Sequence, residues 1–96
     1  MRKRIILRQL AEQDLFEASS WYKTKEPTLG ADFLATFERL LTRLEDHSKV
    51  SSRYYKNFRR VMLPRFPYKV FYRLEDHEII IFRVLHAKRD HRRFLT

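Results

Sequence analysis

The chain has 96 residues, no cysteine, and 21 Lys or Arg against 12 Asp or Glu, a net charge of +9. This length suits one domain spanning 1–96 with no Gly-, Ser- or Pro-rich linker to divide it, and the missing thiols exclude a disulfide framework, a thiol nucleophile and a thiolate metal site. Eight Phe, five Tyr and one Trp supply a core, which excludes a disordered tail as the general reading although 34% of the residues are charged.

The charge is segregated. Residues 1–52 hold nine Lys or Arg and eight acids, whereas residues 53–96 hold twelve and four, so the second half carries +8 of the total. Segregation of this kind favours an acidic partner, whether a nucleic acid or a protein, because the summed field speeds encounter with opposite charge. The N-terminal Met1 to Arg8 is basic around an apolar run of only three residues, too short for a signal peptide core or a membrane span, so a cytoplasmic location is expected.

In chain order, Lys3 to Arg8 reads as a strand with an apolar centre at Ile5, Ile6 and Leu7. From Leu10 the period turns helical, with Leu10, Ala11, Leu15, Ala18 and Tyr22 on one stripe and the acids Glu12 and Asp14 suited to a helix N-terminus. Pro27 ends that helix, Thr28 is placed to cap the next, and Phe33, Phe37, Leu40, Leu41 and Leu44 carry the second helix from Leu29 to about His47. Gly30, the chain's only glycine, falls in the first turn of that helix, where its entropic cost is smallest. Tyr54 to Leu63 reads as one strand, and Pro64 and Pro67 bracket a turn.

The stretch from Tyr68 to Leu85 reads as a β-hairpin turning at Asp76 and His77, which sets Tyr72 opposite Ile81 and Phe71 opposite Phe82. One face then carries Tyr68, Val70, Tyr72, Leu74, Ile79, Ile81 and Leu85, the core face, marred by Arg83, which needs a partner or a bulge to turn it outward. The other carries Lys69, Phe71, Arg73, Ile80, Phe82, Val84 and His86, apolar in its middle and basic at its ends. Lys88 to Leu95 follows as a basic tail, with a helical turn expected near Asp90. The order predicts an α+β fold, β-α-α-β-β-β, in which a helical hairpin covers one face of a mostly antiparallel sheet and leaves the other open.

No nucleotide-binding or hydrolase motif occurs, and His47, His77, His86 and His91 are scattered too widely to predict a metal site. What remains is a cluster of Arg59, Arg60, Arg65, Lys69, Arg73, Arg83, His86, Arg89 and His91 interleaved with aromatics. Such residues describe a ribonuclease, with Arg on phosphate and His moving a proton, and equally a docking surface for an acidic protein.

The succession Ala11, Asp14-Leu15, Trp21-Tyr22, Leu29-Gly30, Phe33, Phe37 and Leu44, then Arg65-Phe-Pro-Tyr-Lys-Val-Phe-Tyr72 and Val84-Leu-His-Ala-Lys-Arg-Asp90, resembles the RelE/ParE family of toxins from type II toxin-antitoxin (plasmid stabilization) modules. The resemblance is nearer to the ParE branch. It implies a toxin that arrests growth by inhibiting DNA gyrase, needs no cofactor, and is neutralised by an acidic antitoxin lying on Phe71, Ile80, Phe82 and Val84. Lys88, Arg89, Arg92, Arg93 and Phe94 are then the expected target contacts. The alternative is a ribosome-dependent mRNA endonuclease in which Arg65, Lys69, Arg83, His86 and His91 do the chemistry. RNA-cutting relatives often carry arginine where this chain has Lys69, and tyrosine near Phe94, departures that point away from a catalytic role.

Overall fold

A computed structural model describes residues 3–47, 53–89 and 95, with 53–55 described in backbone only. The elements are β1 (Arg4–Leu7), α1 (Gln9–Lys25), α2 (Pro27–Asp46), β2 (Arg53–Tyr55), β3 (Phe58–Met62), β4 (Tyr68–Leu74) and β5 (Glu78–His86). They form one sheet in the order β1-β5-β4-β3-β2. The expected α+β arrangement holds, with two corrections. The sheet is mixed, because β1 runs parallel to β5 with Arg4 beside Glu78 and Leu7 beside Ile81. The single strand expected over Tyr54 to Leu63 is two, folded back at Lys56 and Asn57, where Lys56 takes a positive φ of 54°.

The helices form a tight hairpin. Glu26 alone connects them, in an extended conformation (φ −158°, ψ 128°), and its N–H closes α1 on the Tyr22 carbonyl. Pro27 occupies the first turn of α2, where its missing N–H costs nothing. Thr28 is therefore inside the helix rather than capping it, and its hydroxyl donates to Glu26 Oε1 at 3.0 Å.

Gly30 has a role that the sequence reading did not assign. A Cβ there would lie 2.8 Å from the Ser19 carbonyl oxygen and 3.1 Å from Lys23 Cβ, so the glycine is what lets α2 cross α1 at this distance.

The stripe Ala11, Leu15, Ala18 of α1 and Phe33, Phe37, Leu40, Leu44 of α2 pack on Val70, Tyr72, Ile79, Ile81 and Val84 of the sheet. Leu10, expected on that stripe, is 53% exposed instead. An aromatic cluster closes one end of this core: Phe33 lies 5.2 Å from Phe66 and 5.3 Å from Tyr68, and Tyr22 4.9 Å from Phe66, ring centre to ring centre. These separations fall in the range where edge-to-face pairs add to simple burial.

The hairpin turns where expected, with the Glu75 N–H on the Glu78 carbonyl, and Tyr72 does pair with Ile81. One extra residue then changes everything beyond it. Phe71 pairs with Arg83, not Phe82, because Phe82 is a bulge in β5. A one-residue slip exchanges faces, so Val84 packs under the helices while Leu85 joins Phe58, Phe71 and Leu95 in a smaller cluster on the far face. That face is not open as expected: Phe71 is fully buried and Phe82 packs against the cluster.

Candidate functional site

The bulge in β5 is fixed from α1. Asp14, five residues into the helix and so past its first turn, accepts from Arg83 Nε at 2.8 Å, from Arg83 Nη2 at 2.9 Å and from the Val84 backbone N–H at 2.9 Å. β1 ends beside Ile81, so the edge of β5 beyond it is uncovered by a strand, and the carboxylate takes that place. The two side chains are only 14% and 9% exposed, a setting in which charge-assisted, forked bonds count most. The hydrogen bonding that the guanidinium donates to Asp14 is the main reason Arg83 holds its proton more tightly than usual. Of the partner or bulge expected for Arg83, both are present. Asp14 was readable as the partner, because it falls at the i+3 place between Ala11 and Leu15 on a stripe of buried residues.

Beside the bulge lies a groove of about 380 Å³, lined by Arg8, Leu10, Phe58, Arg73, Phe82 and Leu95 among others. Its positions are set by the backbone. The Arg8 N–H bonds to the Ile81 carbonyl at 3.1 Å, and Arg73 pairs with Ile80, so the two arginines enter from opposite sides of Phe82. The Arg8 guanidinium stands 4.7 Å from the Phe82 ring centre. Arg73 stands 5.6 Å from the same centre and 5.9 Å from that of Phe58. Phe58 and Phe82 themselves meet edge to face at 5.0 Å. Arg8, Leu10 and Phe58 were not anticipated as site residues, since their convergence depends on the parallel pairing of β1 with β5 and on the turn at Lys56.

Of the expected antitoxin-contact set, Ile80 and Phe82 are half-buried on the far face, whereas Phe71 is fully buried beneath it and Val84 lies under the helices. The four do not share one exposed surface, and the bulge is the reason.

Of the residues expected to serve a ribonuclease, the described ones are not all on one face of the sheet. Lys69 pairs with Leu85 on the far face, while His86 pairs with Tyr68 and so lies on the helix face, its ring 5.3 Å from that of Tyr68. The His86 Nδ1 accepts from the Lys88 N–H at 3.2 Å. Arg65 sits in the turn between β3 and β4 at a positive φ of 72°, 3.8 Å from Asp32. Arg83 is held by Asp14. His91, Arg92, Arg93 and Phe94, with the expected helical turn near Asp90, lie outside the described residues; Lys88 and Arg89 are exposed, and Leu95 is buried against the far-face cluster. Among the described residues no group of His, Asp and Glu has the geometry to hold a metal ion, and no helix is long and apolar enough to cross a membrane.

The chain belongs to the ParE toxin family: the model of the ParE toxin of the type II toxin-antitoxin system parDE matches residues 5–91. The fold is similar to that in the chromosomal ParDE toxin-antitoxin system from P. aeruginosa, with a TM-score of 0.79 at 18% identity over 91% of this chain and 98% of that one. It is also similar to a chain of the toxin-antitoxin complex RelBE2 from Mycobacterium tuberculosis, with a TM-score of 0.64 at 20% identity over 90% and 99%. Among curated proteins, none matches the chain. The resemblance read from the sequence, a RelE/ParE toxin nearer to ParE, is the family found.

Proposed function

We propose that this type II toxin arrests growth by binding and inhibiting DNA gyrase, without hydrolytic chemistry of its own, and that an acidic antitoxin neutralises it. Family membership supports the toxin role. The observation that carries the choice of target is the dispersal of the candidate nuclease groups: Lys69 and His86 lie on opposite faces of the sheet, and the Arg83 guanidinium is spent on Asp14. Phosphodiester cleavage needs an acid or base and an anion-stabilising cation within hydrogen-bond reach of one reacting group, and Lys69 on the far face stands away from His86 on the helix face. Lys88 and Arg89, exposed at the end of β5, begin the basic segment through Arg92, Arg93 and Phe94 that we assign to target contact.

A supercoiling assay run beside a translation-coupled mRNA cleavage assay tests the choice. Loss of supercoiling at stoichiometric toxin with intact message is expected. Codon-dependent cleavage with supercoiling untouched would give the mRNA endonuclease reading its place.

A further inference from the structure

Resting on the reading of a toxin with an acidic antitoxin, we infer that Arg8 and Arg73 are its specificity-determining residues, reading an acidic side chain next to an aliphatic anchor in the groove over Phe82. Three observations lead there. The groove carries Arg8 and Arg73, with Lys56 and Arg83 also on its wall, and among the described residues no acidic side chain lines it. Arg73 comes no nearer than 3.7 Å to Glu75, longer than a hydrogen bond, so an incoming carboxylate has little to displace. Leu10, 53% exposed, stands at the mouth, with Phe58 and Leu95 buried below.

The same basic and aromatic residues raise the question of a nucleic acid. Base recognition by such a surface relies on stacking against open aromatic faces. Here the Phe82 ring already has the Arg8 guanidinium 4.7 Å and that of Arg73 5.6 Å from its centre, and the Phe58 ring has Arg73 5.9 Å and Phe82, edge to face with it, 5.0 Å from its own. A guanidinium lying over a ring still presents its N–H edge outward, which is the geometry that takes a carboxylate by two parallel bonds. What the groove offers is therefore a pair of forked donors around an aliphatic hollow. A segment with Leu, Ile or Val next to Asp or Glu satisfies both parts, whereas a ribose-phosphate chain satisfies only the charge.

The test uses the full toxin and the acidic protein encoded beside it, with binding followed by fluorescence anisotropy of the labelled antitoxin. Arg8→Gln, Arg73→Gln and Leu10→Glu are each expected to weaken binding about tenfold or more, while Leu34→Gln on the outer side of α2 stays within about twofold. Thermal unfolding checks that each variant is folded, and supercoiling inhibition by the free variants is expected to remain at the wild-type level. Should the wild type bind its antitoxin and the three groove variants bind equally well, the groove assignment is overturned while the toxin reading stands. Failure of the wild type to bind the neighbouring protein overturns both. Displacement of the antitoxin by oligouridine, sensitive to Arg8→Gln, assigns the groove to nucleic acid instead.

Discussion

Asp14 makes three hydrogen bonds with one carboxylate, two to Arg83 and one to the Val84 N–H, and each answers a different need. Asp14→Ala leaves a largely buried guanidinium and a backbone donor without this acceptor, and is expected to lower stability by about 3 kcal/mol in urea unfolding. Asp14→Asn keeps an oxygen for Val84 and should cost less; equal losses in the two variants would show that the charge, not the backbone contact, is decisive. A second residue-scale effect concerns Tyr22 and Tyr68. Burial raises the pKa of both above 10.0; the neighbouring Tyr68 adds to the rise for Tyr22, while for Tyr68 the Arg89 charge works against burial and Asp14 with it. A phenol whose folded pKa is raised keeps its full contribution below the unfolded value near 10.0 and loses it as pH rises through the folded value. Urea midpoints measured from about pH 9 to about pH 11 should therefore fall, and the fall should be shallower in Tyr68→Phe.

Between elements, the contact of α1 with α2 turns on one missing methyl. Alanine is the better helix former by about 1 kcal/mol, yet at position 30 its Cβ would press on a backbone oxygen, the Ser19 carbonyl, that can yield only by moving the helix. Gly30→Ala is expected to destabilise by about 1–3 kcal/mol in chemical denaturation; a gain in stability would mean the helices separate freely. The helix face of the core was legible from the sequence because Phe33, Phe37, Leu40 and Leu44 repeat at the helical period, and the hairpin turn was legible because polar residues interrupt two β-rich runs. A bulge was legible only as one of two answers to Arg83, and its place at Phe82 was not, because a carboxylate 69 positions away in the chain closes on Arg83 there. The face assigned to Val84 and Leu85 was consequently inverted, and with it the expected contact surface. Leu10 fell off its stripe for a related reason: it belongs to the first helical turn, which overhangs the groove beside β5 rather than the core.

At the scale of the whole molecule, the half of the chain that carries +8 of the charge supplies β2 to β5 and the C-terminal segment, while the helices hold most of the acids. Replacing Arg89, Arg92 and Arg93 together by Ala should leave the melting temperature within about 2 °C and abolish growth arrest, through a loss of target affinity of a few kcal/mol at most that is steepest at low salt. Undiminished arrest, or a large fall in melting temperature, would overturn the assignment of these cations to target contact. The parallel pairing of β1 with β5 has its own bearing on how the toxin comes into being. Arg4 meets Glu78 across 74 positions of sequence, and Lys3 Nζ reaches the Glu75 and Asp76 carbonyls at 2.7 Å. The first strand to leave the ribosome thus has its sheet neighbour among the last, and contacts this distant are late and slow to form. A chain that stops before β5 lacks both the parallel neighbour of β1 and the strand that brings Phe82 to the groove, and is expected to arrest no growth.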